Sequence, residues 1–149
     1  MLRRLIVYAC MAGGLVLSGH SLLAQAPALT VRDAWVRATM PGREMTGAFM
    51  IVENSGASPR ALVAATADVA SPVELHEMKR EGDMMRMSPV KKIDVPARGS
   101  VELRPGSFHL MLFGLKAPLT AGQTVTLTLE FDDGTKIPVK ATVRAPGGF

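Results

Sequence analysis

Residues 124–143 read Thr-Val-Thr-Leu-Thr-Leu-Glu-Phe-Asp-Asp-Gly-Thr-Lys-Ile-Pro-Val-Lys-Ala-Thr-Val, and this stretch decides the fold class. Val125, Leu127, Leu129 and Phe131 alternate with Thr and Glu, a period of two that turns every large apolar side chain to one face of a strand. Asp132-Asp133-Gly134 is a turn sequence, after which 136–143 returns as a second strand, with Pro138 pointing to a sheet edge. The same grammar repeats upstream. Short Val-, Ala- and Ile-rich runs at 31–37, 46–53 and 61–67 are separated by Pro41-Gly42 and Asn54-Ser55-Gly56. Runs 73–78 and 84–87 flank Glu81-Gly82-Asp83, a hairpin signature. Runs 91–95, 101–103 and 108–113 are set apart by Pro96, Arg98-Gly99 and Pro105-Gly106. Turns every 8–12 residues or so, without a sustained helical period, predict one all-β domain, an antiparallel sandwich or barrel.

The composition narrows the chemistry. The chain has 149 residues, 48% of them hydrophobic, with ten methionines against one cysteine and a formal charge of +4. That length suits a single domain. One cysteine excludes an internal disulfide framework, a Cys-x-x-Cys redox pair and a thiolate zinc cluster. Arg3 and Arg4, an uncharged apolar run from Leu5 to Leu17 and an Ala24-Gln25-Ala26 end read as a secretory signal peptide over residues 1–26, cut between 24 and 28. The apolar run falls short of the roughly 20 residues of a membrane span. Cys10 lies too early in it to suit a lipid anchor. Residues 27–149 are then an exported, soluble periplasmic domain with no stable membrane insertion. Cleavage removes the cysteine, one of three histidines and two methionines; losing Arg3 and Arg4 leaves 15 basic against 13 acidic residues, or +2. Lys and Arg form no run and Trp35 is the only tryptophan, so nothing suggests a nucleic-acid partner.

The remaining histidines sit in two tripeptides, His76-Glu77-Met78 and His109-Leu110-Met111. In a strand, residues i and i+2 share a face roughly 6.5–7 Å apart, so each tripeptide presents an imidazole beside a thioether. Leu110 and Leu112, like Val73 and Leu75, take the opposite face toward the core. A hairpin turn centred on Glu81-Gly82 makes paired positions sum to 163, which sets His76 opposite Met87 and Met78 opposite Met85. With eight methionines in about 123 residues, both histidines having Met two places on is a coincidence on the order of one in 200. Met40, Met45 and Met50 have no role here beyond loop or core packing. Glu74 and Glu77 read as solvated strand charges.

The spacing from His76 through Met87 and His109 to Met111 is H-x10-M-x21-H-x-M. It resembles the copper-binding motif of the PCuAC family of periplasmic copper chaperones. Val-Glu-Leu-His-Glu-Met (73–78), Pro-Gly-Ser-Phe-His-Leu-Met-Leu-Phe-Gly-Leu-Lys (105–116) and Asp-Ala-Trp-Val-Arg (33–37) are similar to that family too. The resemblance implies a cupredoxin-like, antiparallel Greek-key β-sandwich that holds one Cu(I) at a surface site of His76, Met87, His109 and Met111. It also implies delivery toward the binuclear copper centre of cytochrome c oxidase subunit II, with a Sco-family protein as a further partner. Met78 lies beside the motif and is not one of its four ligands.

That donor set suits Cu(I) on physical grounds. The ion is soft and d10 and takes thioether and imidazole without a rigid geometry, whereas zinc favours thiolate, more histidine or carboxylate. Thioethers need no deprotonation and cannot be lost to disulfide formation, so the set works in an oxidising compartment. Protons compete for the imidazoles, so Cu(I) affinity is expected to weaken as pH falls through about 6.5. A blue-copper electron carrier needs a cysteine ligand, and the exported domain has none. Ser71, Ser88 and Ser107 lie near the histidines in sequence, but no nucleophile-elbow motif is present. The reading is therefore a carrier and not an enzyme. Its rivals are a periplasmic copper buffer or resistance protein and a β-sandwich interaction domain without metal.

Overall fold

The stretch at 124–143 is a hairpin, and a sheet of strands grows from it. The computed structural model describes residues 27–147, so the leader expected over 1–26 lies outside the described residues. Ten strands follow in order: β1 (Leu29–Arg37), β2 (Thr46–Asn54), β3 (Arg60–Ala67), β4 (Val73–Glu81), β5 (Met84–Pro89), β6 (Ile93–Val95), β7 (Gly99–Leu103), β8 (His109–Leu112), β9 (Thr124–Phe131) and β10 (Lys136–Arg144). Each corresponds to a run expected from the sequence, with ends displaced by up to three residues. Among the described residues no helix is long and apolar enough to cross a membrane.

Hydrogen-bonded neighbours run β5-β4-β8-β2-β1-β10-β9-β3-β6, with β7 pairing β2 beyond the end of β8. Eight of the nine pairings are antiparallel; β1 with β10 is parallel. β1 keeps β2 as its partner and takes up β10 only from Trp35 onward. The register between β1 and β2 shifts between Arg32 and Trp35, where Asp33 has φ of 54°. Such a bulge bends a strand and re-aims it, and here it lets one strand join two layers. β6 lies against β7 and β2 without a ladder, and β3 lies against β4, so the two arms face each other. The chain passes between them after β2, β3, β5, β6 and β8, the crossing connections of a Greek-key, cupredoxin-like β-sandwich.

The core fills the space between the arms. Val125, Leu127, Leu129 and Phe131 of β9, all at most 1% exposed, meet Val52, Leu110 and Leu112 from the other arm. Met50 is buried among them, the packing role expected of it. Pro138 departs from its expected place. β10 lies between β9 and β1, so it is not an edge strand. Pairing with β1 begins only at Thr142, however, so Pro138 occupies the half of the strand that has a partner on one side, opposite Thr128. A residue without an N–H is tolerated there.

The β4–β5 register also differs from expectation. Paired positions sum to 165, with Glu81 opposite Met84, Met78 opposite Met87 and His76 opposite Pro89. The two turn residues are Gly82 and Asp83. Gly82 takes φ of +62° at the first central position and Asp83 stays out of the left-handed region, the pattern of a type II′ turn. A displacement of two preserves the alternation of faces, so Met87 stays on the face of His76 and Met78.

Leu110 anchors the inner face of β8 and is fully buried. Leu110→Ala is expected to cost about 2–5 kcal/mol in denaturant unfolding, whereas Met84→Ala, at a side chain 67% exposed on strand β5, should stay within about 0.5 kcal/mol.

Candidate metal centre

On the outer face of the β5-β4-β8-β2 arm, the pleat lines up the residues that the core does not use. His76 pairs with His109, and Glu74 with Met111, across β4 and β8. Gly47 of β2 lies opposite Met111, and Met87 of β5 lies opposite Met78. Directly opposed residues share a face, so imidazoles and thioethers converge on one surface. β5 and β8 lie on either side of β4, roughly 10 Å apart at strand spacing. Even so, His109 Nε2 approaches Met87 Sδ to 3.2 Å above β4.

The hydrogen bonds around each ring fix where its free lone pair points. The Ser107 carbonyl can only accept, so His109 donates to it from Nδ1–H, at 3.0 Å. In the neutral ring Nε2 is then a bare acceptor facing the Met87 sulfur, itself an acceptor, with no proton between them. His76 donates from Nε2–H to Glu74 Oε2 at 2.8 Å, which leaves its Nδ1 bare, buried and without a hydrogen-bond partner among the described residues. Buried polar atoms are rarely left unpaired, and those that are call for an explanation. A carboxylate that fixes the tautomer of an imidazole is the usual outer support of a metal-binding histidine. Glu74 is thus more than the solvated strand charge expected of it; its i+2 spacing to His76 on one strand face was the available signal.

Both rings are largely covered. His76 and His109 are each 6% exposed, and their centroids are 5.8 Å apart. Phe113 packs 6.0 Å from His76, and Phe49 packs 6.3 Å from His109. Phe49 lies over Gly47, where a Cβ would meet its ring at 2.9 Å. On its other side it stacks on Trp35 at 4.4 Å. Burial pulls the His109 pKa below the usual imidazole value, repulsion from His76 and Arg37 adds to that, and the Ser107 carbonyl opposes it.

Above the rings opens a cleft of about 470 Å³. Three of the four motif residues, Met87, His109 and Met111, line it, while His76 stands behind His109. The expected surface site is therefore a cleft with a buried imidazole floor and an exposed thioether, Met87 being 44% exposed. Met40, Met45 and Met78 also line it, which the sequence did not foretell for Met40 and Met45. Their signal was position: they flank the turn leading into β2, whose first residues pair with β8. Among the described residues, no three His, Cys, Asp or Glu side chains gather as a metal site.

Fold and donors together define a cupredoxin-like sandwich with a soft-donor cleft at one end. Residues 29–143 match the family described as putative lipoprotein LpqE-like. A putative lipoprotein of Leifsonia xyli subsp. xyli is 41% identical over 121 residues, covering 80% of this chain and 72% of that protein. The solution structure of CuI-DR1885 from Deinococcus radiodurans is 39% identical with a TM-score of 0.66, covering 81% of each chain. The copper-bound PCuAC domain from PmoF2 is 22% identical, covers 82% of this chain and 97% of that one, and shares the fold with a TM-score of 0.70. The chain belongs to the LpqE-like family, which is the PCuAC-type family.

The lowered pKa of His109 has a measurable consequence. As pH falls below about 6.5, the unfolded chain takes up this proton more readily than the folded one, so the folded state loses stability down to the lowered folded value. His109→Gln should remove that component. Urea midpoints of the two metal-free proteins should then diverge in their pH dependence between neutrality and the acidic range.

Proposed function

We propose that the protein is a periplasmic copper chaperone that carries one Cu(I) on His76, Met87, His109 and Met111 and delivers it toward the binuclear copper centre of cytochrome c oxidase, with a Sco-family protein as a further partner. The observation that carries this reading is the pair of bare donors 3.2 Å apart, His109 Nε2 and Met87 Sδ, with the Nδ1 of His76, unpartnered among the described residues, on the neighbouring ring whose centroid lies 5.8 Å from that of His109. Two acceptors facing each other at this distance are the arrangement that a shared soft cation satisfies. The four donors are neutral when the imidazoles are unprotonated, and two are thioethers, a set that favours Cu(I) over zinc. A relative whose solved form carries Cu(I), at 39% identity, supports the same cargo. Relatives described as putative lipoproteins support export to the cell envelope.

The reading is of a carrier and not an enzyme. Met87 is exposed on strand β5, so a thiolate of an acceptor can reach the ion and replace this thioether first. Thiolates bind Cu(I) more strongly than neutral sulfur and give the exchange its direction. The proton also has a part. Because His109 holds its proton less readily than a free imidazole, its share of the proton competition should set in at lower pH than the ordinary 6.5 or so.

Anaerobic Cu(I) titration against a competing chelator tests the site. The chain should bind one equivalent, and His109→Ala should lose it. Met87→Leu, at an exposed side chain of similar volume, should weaken binding without unfolding the protein. Glu74→Ala should weaken it by roughly 10–100-fold, the cost of losing an outer partner of a ligating histidine. Equal affinity in all four proteins would overturn the assignment. Copper loaded on the chain should then move to a thiol-bearing acceptor domain. A deletion strain with intact oxidase that is merely copper-sensitive would instead make the protein a buffer.

A further inference from the structure

Five methionines line the cleft, and two of them, Met87 and Met111, belong to the motif. The other three come from two separate elements. Met78 stands on β4 directly opposite Met87. Met40 and Met45 flank the Pro41-Gly42-Arg43-Glu44 turn before β2. That turn is tied down: Arg43 N–H donates to the Met40 carbonyl at 3.1 Å, and Leu115 N–H donates to the Glu44 carbonyl at 3.0 Å. The backbone that carries the two side chains is therefore held beside the cleft, while the thioethers keep their own freedom. Met40 is 64% and Met45 is 45% exposed, so neither fills the core. Five of the six large apolar side chains exposed among the described residues are methionines, and Met40, Met45 and Met87 gather at this one cleft.

We propose that Met40, Met45 and Met78 form a second, outer Cu(I)-binding position at the mouth of the cleft, through which the ion passes between the motif residues and an acceptor. This rests on the copper-carrier reading above. Three thioethers from flexible side chains can satisfy a soft d10 ion that demands no fixed geometry. The outer position lacks an imidazole. It also shares the cleft with two cations: Arg37, whose guanidinium lies 5.4 Å over the Phe49 ring, and Arg43. Their charge bears on both positions, so it is the lack of an imidazole that makes the outer one the weaker of the two, as a way station needs to be. The ion steps from the imidazole floor to neutral sulfur near solvent without becoming free.

Nuclear magnetic resonance of the chain carrying 13C-methyl methionine, titrated anaerobically with Cu(I), tests this. The first equivalent should shift Met87 and Met111. The second should shift Met40, Met45 and Met78 and leave Met84 and Met85 in place. The triple variant Met40→Leu/Met45→Leu/Met78→Leu, nearly volume-conserving, should keep the first equivalent, lose the second and hand copper to a chelator more slowly. In His76→Ala/His109→Ala the three outer methyls should respond to the first equivalent added. A second equivalent that is absent, that moves Met84 and Met85 equally, or that survives the triple substitution overturns the outer position. A first equivalent that spares Met87 and Met111 overturns the carrier reading instead, and the outer position then stands or falls on its own three methyls.

Discussion

The ladder between β4 and β8 sets His76 opposite His109 while Leu75 and Leu110, the next residues along, pair on the other side of the same two strands. Neither partition can change alone. Slipping one of the two strands by one residue would carry its leucine to the cleft and its imidazole into the core, where a polar ring would lose its partners. Core packing thus enforces the geometry of the donors, since Leu110 and Leu112 are fully buried and Leu75 nearly so. The parity of the β5 register puts Met87 on the face of the rings, and the pairing of Met87 with Met78 brings its sulfur to His109.

What the ladder positions, the hydrogen bonds polarise. Each imidazole gives its proton to a fixed acceptor, the Ser107 carbonyl or the Glu74 carboxylate, so that each has one nitrogen with a lone pair to offer. Phe49 and Phe113 pack beside the rings, the Nδ1 of His76 is buried, and burial keeps His109 neutral to lower pH than a free imidazole. Glycine at position 47 makes this possible on one side, because any side chain there would push the Phe49 ring from its seat between Gly47 and Trp35. The floor of the cleft is therefore set before any ligand arrives.

Most of the fold was legible from local sequence. Alternation over 124–131 and the turn residues at 132–134 identify a hairpin without further help, and all ten strands answer to runs of the same kind. The site was legible as a pattern because strand periodicity converts a His-x-Met tripeptide into a geometric statement. What escaped was non-local. The partner of β10 depends on a parallel contact with a strand about a hundred residues earlier, so Pro138 could not be placed from its own surroundings. The β4–β5 register hung on which two residues made the turn, and Glu81-Gly82-Asp83 allows two choices that differ by one residue. Met40 and Met45 sit in a loop whose place beside β8 is fixed only when β2 pairs with it. Glu74 read as solvated because a carboxylate on a strand usually is; its side chain is indeed 45% exposed, and exposure at that level does not prevent one oxygen from holding a buried ring.

The contrast in exposure across the cleft bears on how a carrier can be both selective and willing to let go. A site made only of buried donors would release an ion slowly, because an acceptor could not reach it. One made only of exposed thioethers would hold it weakly and share it with any soft competitor. Here imidazoles at 6% exposure lie beneath a thioether at 44%, with two further thioethers still more open or equally so at the rim. Under the proposed function, the buried nitrogens supply the affinity and the exposed sulfurs supply the route. Met87 belongs to both, touching His109 on one side and facing Met78 across the ladder on the other. Under that proposal exchange begins at this side chain, the most exposed of the four motif donors, which can swing away without disturbing a buried hydrogen bond or the core behind it.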